Sequence, residues 1–325
     1  MTVPPPSPDS PSPDPGHAPV MPEAILAQLA VQPGELVLDC TAGRGGHAAL
    51  LAAETGTDGT VYLCDLDPGN LEFAAARVKM ETGVPTVPLQ GSYVRAPRDL
   101  RGDGIAVDAV LADLGFASTQ VDDAERGFSF LRDGPLDMRM DPSGPVTAAD
   151  LLAGSDEREL ARIIFEYGEE PLSRRIARNI VRKRDIDPIA STADLAGLVR
   201  DAYGQRAASS RLHPATRTFQ ALRIAVNDEF GALDGLLRQV LEAAEAIGAG
   251  QPTWLADGAR VAFLTFHSLE DRRVKRAFAE LDRRGLGKAP ARMPILPSET
   301  EIAINTRSRS AKLRVAVVGD HAERA

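Results

Sequence analysis

Three acidic residues close three short apolar runs: Asp39 after Leu36-Val-Leu, Asp65 after Thr60–Cys64, and Asp113 after Val107–Ala112. The first run leads into Cys40-Thr-Ala-Gly-Arg-Gly-Gly-His47, a glycine turn before a helix. Glycines there let backbone amides approach a ligand and tolerate dihedrals other residues avoid. A pyrophosphate cradle would read G-x-G-x-x-G, but the spacing here is Gly43-x-Gly45-Gly46. Asp39 is placed to receive the amine of a cationic amino-acid ligand. By itself the turn is equally a tight strand–helix connection. Asp65 favours a ligand, because a carboxylate at the end of the second strand of a doubly wound fold accepts two ribose hydroxyls. Asp67, beside Pro68, reads as a cap or turn residue. Asp113 ends the fourth strand, again at the carboxyl edge where ligands bind. Phe266-His-Ser-Leu-Glu-Asp271 follows a fifth strand on that same edge. His267 there either contacts substrate or takes a proton, or it fixes Glu270 or Asp271. Asp137, Arg139 and Asp141 either bind the substrate or tie an insert to the sheet. No Cys/His spacing suits a structural zinc site, and no Ser/His/Asp order recommends a hydrolase.

The elements that must position these residues alternate. After a short helix at Glu23–Ala30 come runs at Leu36–Cys40, Thr60–Cys64, Val84–Leu89 and Val107–Ala112, with helices at His47–Glu54 and Leu71–Lys79. Short buried strands separated by helices predict a parallel α/β sheet with right-handed crossovers. The next strand, Arg260–Phe266, comes roughly 150 residues later, where one crossover needs about 30, so a helical domain is inserted at about 114–213. Within it, Ser155 is the expected cap of a helix to Tyr167. Leu172, Ile176 and Ile180 mark a second helix, and Leu195, Leu198, Val199 and Ala202 a third, capped by Ser191 or Thr192. Phe219, Leu222, Val226, Leu233, Leu237 and Val240 form one stripe, read as a returning crossover helix interrupted near Gly231. The sheet domain is then 17–113 plus 214–325, preceded by a disordered tail (1–16) of Pro, Ser and Asp.

The 325-residue chain is 43% hydrophobic with no apolar run near membrane-spanning length, and its start lacks a signal pattern, so a cytoplasmic protein is expected. Cys40 and Cys64 read as buried thiols. The net charge of −9 fits a polyanion partner poorly, yet distribution matters more than total. Asp201–Asp228 encloses Arg206, Arg211, Arg217 and Arg223 without an acid, and Ile302–Val315 carries Arg307, Arg309, Lys312 and Arg314.

Seven ordered segments, GRGGH (Gly43–His47), DLDP (Asp65–Pro68), DLGFASTQVDDAERGFSF (Asp113–Phe130), DGPLDMRMD (Asp133–Asp141), HPATRTFQALRIAVND (His213–Asp228), FHSLEDR (Phe266–Arg272) and RSRSAKLRVA (Arg307–Ala316), resemble the bacterial 16S ribosomal RNA (cytosine-N4)-methyltransferase family. The resemblance covers about His17 to Ala316. It implies a class I methyltransferase fold (a Rossmann-like doubly wound sheet) with an inserted α-helical domain. It implies S-adenosylmethionine contacts at Gly45, Gly46, His47, Asp65, Asp113 and Gln120, with Tyr93 in the place of the family's usual phenylalanine, stacking on adenine. Cys40, Ala48 and Phe116–Thr119 depart from the family pattern. The implied chemistry methylates the exocyclic amine of a splayed-out cytosine, with Asp113 or a carbonyl of Leu114-Gly115 accepting an amine hydrogen and His267 as a second catalytic candidate. Arg217, Arg307, Arg309 and Lys312 become RNA contacts, Arg307 and Arg309 lying away from the glycine turn. The partner is 16S rRNA in the small subunit, with no metal and no membrane, and a homodimer is compatible. A nicotinamide oxidoreductase would need the missing G-x-G-x-x-G, and a noncatalytic RNA-binding factor would not need the glycines with Asp65 and Asp113.

Overall fold

The computed structural model describes residues 18–115, 118–209, 213–289 and 293–319. The tail 1–16, Phe116, Ala117 and Arg211 lie outside them. Seven strands form one sheet: β1 (Leu36–Asp39), β2 (Thr60–Asp65), β3 (Thr86–Gln90), β4 (Val107–Asp113), β5 (Leu255–Thr265), β6 (Gly287–Lys288) and β7 (Lys312–Val318). Their order is β3-β2-β1-β4-β5-β7-β6. The first five run parallel, whereas β7 is antiparallel to both β5 and β6. The antiparallel pair corrects the all-parallel expectation. Lys312 and Arg314 disguise β7 as a solvated basic run.

Helices α1 (Pro22–Leu29), α2 (Gly46–Thr55) and α3 (Pro68–Thr82) cover one face, and α4 (Ala96–Gly102) lies on the other. After β4 come α5 (Ser118–Asp122), α6 (Ala148–Gly154), α7 (Glu157–Gly168), α8 (Ser173–Arg184), α9 (Thr192–Tyr203) and α10 (Thr216–Asn227). Then α11 (Glu229–Gly248) and α12 (Ser268–Arg283) join α4, and α13 (Glu299–Ile304) precedes β7. Strand residues alternate between two cores: Val37, Val61, Leu63, Ala109 and Leu111 face α1–α3, while Leu38, Tyr62, Val110 and Ala112 face α4, α11 and α12. Burial on both faces explains why these strands read as unbroken apolar runs. Each fully buried Val or Leu contributes about 1.5–3 kcal/mol.

The insert has its own core, built from Leu136, Met138 and the inward faces of α6–α10. Two local expectations change here. Ser155 ends α6, and Asp156 caps α7 by accepting from the Glu159 N–H at 2.7 Å. The stripe from Phe219 to Val240 is two helices: α10 packs into the insert through Phe219 and Leu222, and α11 packs on the sheet through Leu233, Leu237 and Val240. So α10, expected on the sheet side of a boundary at 214, packs with the insert. The break falls at Asp228, in a left-handed conformation (φ 48°). Gly231 stays helical, and a Cβ there would meet the Asp228 carboxylate at 2.4 Å.

Two side chains fasten the insert. Arg126 pairs with Asp67 at 2.9 Å and donates to the carbonyls of Arg139 and Met140. Asn227 accepts from the Met140 N–H at 2.7 Å and donates to the Met138 carbonyl at 2.8 Å. Arg139 is spent on Asp137 in a bidentate pair inside DMRMD, whose backbone groups take the contacts with Arg126 and Asn227. Asn227→Ala leaves those backbone groups without this partner, at about 1–3 kcal/mol. Hydrogen exchange of the variant should accelerate at residues 136–141 and in α6–α9 while β1, β4 and β5 keep their protection. Equal acceleration in the strands would show that sheet and insert open as one unit.

Candidate active site

Between β1 and β4 the strand order changes direction, and a parallel sheet opens a crevice at the carboxyl ends of such strands. A cavity of about 520 Å³ lies there. Its floor is the glycine turn. Gly45 has φ 71°, and a Cβ on it would come within 2.9 Å of the Ala74 Cα on α3, so glycine alone lets α2 and α3 approach. Gly46 lies against Pro19, and residues Ala18–Val20 form part of the wall. Sequence reasoning missed this strap, because nothing local marks it. The Met21 N–H donates to Glu301 at 2.5 Å and Asn305 donates to the Ala18 carbonyl at 3.3 Å, contacts that span nearly the whole chain.

The Asp65 carboxylate accepts the Gly43 N–H at 2.8 Å on one oxygen and the Asp67 N–H at 2.8 Å on the other, and it lines the cavity beside Asn70. Burial raises its pKa. Asp67 caps α3 through the Gly69 N–H, as the sequence implied. Asp39 does not reach the cavity. It is 1% exposed, accepts the Thr41 N–H at 3.0 Å, and burial pushes its pKa up to about 6. It therefore does not meet a ligand amine and serves to shape the turn. Asp113, Gln120 and His47 do line the cavity. The Asp113 N–H donates to the Thr41 hydroxyl at 2.7 Å, locking β4 to the turn. The His47 Nε2 lies 2.9 Å from the Val20 carbonyl, which can only accept, so that nitrogen carries the ring proton. Nδ1 then faces Asp113 Oδ2 at 3.4 Å. Burial keeps His47 below its ordinary pKa. Burial, with Glu270 nearby, pushes Asp113 up to about 7. These acids want a positive charge that the chain itself withholds.

The far wall comes from Tyr93, the α10–α11 junction and the residues after β5. Tyr93 packs partly into the core, and burial raises its phenol pKa, with Glu229 the next contributor. Arg223 grips Glu229 with two hydrogen bonds of 2.7 and 2.8 Å, yet burial keeps the Glu229 pKa raised. Phe230 lines the cavity next to His267, the ring centroids 5.9 Å apart. Glu229, Phe230 and Asn227 were not among the expected site residues. The polar run Asn227-Asp-Glu229 inside an apolar stripe was the available signal. His267 lines the cavity too, but its ring caps α12: Nδ1 accepts the Glu270 N–H at 3.4 Å, and Nε2 lies 3.0 Å from Glu270 Oε1. Burial opposes ionisation of Glu270, but His267, Arg223 and the Phe266 N–H outweigh it and hold its pKa low.

The four expected RNA contacts scatter. Arg307 lines the cavity, 4.0 Å from Asp122, which corrects the expectation that it lies away from the glycine turn. The turn of Thr306–Ser310 after α13 folds back over the site. Arg309 is exposed. Arg217, exposed on α10, donates to the Glu169 carbonyl at 3.2 Å. Lys312 is half-buried and pairs with Asp271 at 3.6 Å, while Arg314 binds Asp271 at 2.6 Å. Both cations therefore face the same acid. Cys40 and Cys64 are buried free thiols. No group of metal-binding side chains occurs among the described residues, nor a helix long and apolar enough to cross a membrane.

Asp39 and Asp113 bind protons more tightly folded than unfolded, so their share of stability is full below about pH 4 and is lost as pH rises towards about 7. Asp113→Asn should remove one part of that loss. Denaturant unfolding at pH 5 and pH 8 should show a smaller drop for the variant than for the parent. Equal drops would mean that Asp113 is ionised throughout that range in the folded protein.

A family model described as the MraW methylase family matches residues 14–318. "Ribosomal RNA small subunit methyltransferase H" of Heliobacterium mobile is 44% identical over 318 residues, covering 92% of this chain and 98% of that protein. The protein of the same name from Geobacter sulfurreducens is 44% identical over 316 residues, with the same coverage. A solved methyltransferase homologue from Pyrococcus horikoshii matches at 15% identity and a TM-score of 0.40, over 92% of this chain and 66% of that one. With a family model spanning almost every described residue and relatives at this identity over nearly their full length, the chain belongs to the MraW methylase family.

Proposed function

We propose that the protein transfers a methyl group from S-adenosylmethionine to the exocyclic N4 amine of a cytosine in 16S ribosomal RNA of the small subunit, acting in the cytoplasm. The observation that carries this reading is a single cavity with two unlike halves. One half has the glycine turn, Asp65, Asp113 and Gln120, and the other has Tyr93, Glu229, Phe230 and His267. The first half suits a cationic nucleoside: carboxylates whose pKa values burial has raised gain most from a nearby positive charge. Asp65 has backbone N–H groups on both oxygens and keeps lone pairs for two ribose hydroxyls. S-adenosylmethionine supplies a methyl group activated by a sulfonium.

The cytosine amine is a poor nucleophile because its lone pair is delocalised into the ring. The protein has to orient that amine, exclude water, and accept an amine hydrogen as attack proceeds. Asp113 lines the cavity at the end of β4 and is fixed by Thr41 through its backbone N–H and by His47 at its carboxylate. Near neutrality it is poised between its two protonation states, which suits it to take up that hydrogen. His267, tied into the α12 cap, shapes the wall against which the base rests.

Asp65→Ala should weaken S-adenosylmethionine binding by roughly 1–3 kcal/mol, about 5- to 150-fold in Kd, and unchanged affinity in calorimetry would remove Asp65 from the site. Cofactor binding should lower the Asp113 pKa and release protons near pH 7. Calorimetry in buffers of different ionisation enthalpy reads that release, and it should shrink in Asp113→Asn. Mass mapping of 16S rRNA from a deletion strain tests the acceptor: a cytosine N4-methyl should be missing and should return on incubating those subunits with the purified protein. An unaltered modification pattern would overturn the assignment.

A further inference from the structure

A second hollow of about 470 Å³ lies between α11 and α12. Its rim carries Arg238, Arg272, Arg273 and Arg276, with Asp234 as the one acid lining it. The charge is hidden in the sequence, since α12 also holds Glu270, Asp271, Glu280 and Asp282. Three of those acids are already engaged: Glu270 with His267, Asp271 with Arg314 and Lys312, and Glu280 with Arg283. On the rim, Arg272 pairs with Glu169 at 3.3 Å and Arg273 with Asp234 at 3.2 Å. Arg238 and Arg276 are exposed, and no carboxylate among the described residues forms an ion pair with either. Guanidinium groups present a planar fork of donors that fits phosphate oxygens.

The hollow and the active-site cavity share two helices, although no residue lines both. On α11, Leu233 faces the cavity and Asp234 the hollow; on α12, Glu270 faces the cavity and Leu269 and Arg273 the hollow. Phe230, which lines the cavity, carries the Arg273 guanidinium over its ring, 3.7 Å from the centroid. A base withdrawn into the cavity leaves its flanking phosphates at the mouth, where they must be held.

We propose that the α11–α12 hollow is the track for the ribosomal RNA backbone beside the target base, with Arg238 and Arg276 as phosphate contacts and Arg273 as the hinge between track and cavity. The proposal rests on the RNA methyltransfer reading above. It also explains how a chain of net charge −9 engages RNA: internal pairing of the nearby acids leaves a local excess of cations on one concave surface.

The test is a salt titration of binding to small ribosomal subunits from the deletion strain, alongside methyl transfer to them and cofactor calorimetry. The variant Arg238→Ala/Arg276→Ala should bind these subunits about tenfold more weakly. The slope of log affinity against log salt should flatten by about 1.4, or 0.7 for each lost single-strand contact. Cofactor affinity and kcat at saturating subunits should stay within about twofold of the parent. Arg174→Ala/Arg182→Ala removes the same charge from the exposed face of α8 and should keep the parent's slope. An unchanged slope in the first variant would overturn the proposal, as would equal losses in both, which would mean bulk charge alone is felt. Retained subunit binding with lost binding to poly-glutamate would reassign the hollow to an acidic protein partner. A parent protein that bound no subunits at all would remove the RNA reading, and the track with it.

Discussion

Carboxylates crowd the carboxyl edge of the sheet without enough cations to balance them. Asp39, Asp65 and Asp113 close three neighbouring strands, and Glu229 and Glu270 reach the same cavity or its border. Taking a carboxylate out of water costs several kcal/mol unless hydrogen bonds or charges replace the solvent. Here backbone amides supply much of the replacement: Thr41 for Asp39, Gly43 and Asp67 for Asp65, Phe266 for Glu270. Those bonds hold the loops in place and pull the pKa values down, but burial outweighs them at Asp39 and Asp65 and also raises Asp113, whereas Glu270 stays low. A cationic ligand relieves that strain, so the electrostatics that cost the free protein stability favour the occupied one.

The rest of the fold serves to complete this edge. His47 links Asp113 to the strap at Val20, and Glu301 and Asn305 hold the strap from the other end of the chain. The insert is a separate helical core, yet Arg126 and Asn227 bolt the Met138–Met140 backbone to α3's cap and to the end of α10. The left-handed residue Asp228 then turns the chain so that Glu229 and Phe230 enter the cavity while α11 returns to the sheet. One backbone break serves both the layer arrangement and the far wall of the cavity.

Charge follows the same logic of pairing. In the two acid-free stretches of sequence, three of the eight cations are consumed internally: Arg223 by Glu229, and Lys312 and Arg314 by Asp271. In α12 three of the acids are neutralised, Glu270 and Glu280 by near neighbours and Asp271 by residues distant in sequence, while Arg272 and Arg276 stay exposed. Linear charge density is therefore a poor guide to surface potential when ion pairs join residues far apart in the chain.

The sequence by itself determined the layers and the floor of the site. Two-sided burial writes strands as unbroken apolar runs, and strand-end acids with a glycine turn are local features, so β1, β2, β4 and the placement of Gly46, Asp65 and Asp113 on the cavity were all legible. The family was legible too, because seven segments recur in order. Tertiary structure alone decided which acids line the cavity: Asp39 and Asp113 read alike in sequence, but Asp39 is 1% exposed and off the cavity while Asp113 lines it. It also decided that Arg307 lines the site, that Lys312 of β7 pairs with Asp271 of α12, and that Ala18–Val20 form a wall. These last three depend on contacts between residues tens to hundreds of positions apart, and neither periodicity nor spacing encodes which distant partner a side chain will meet.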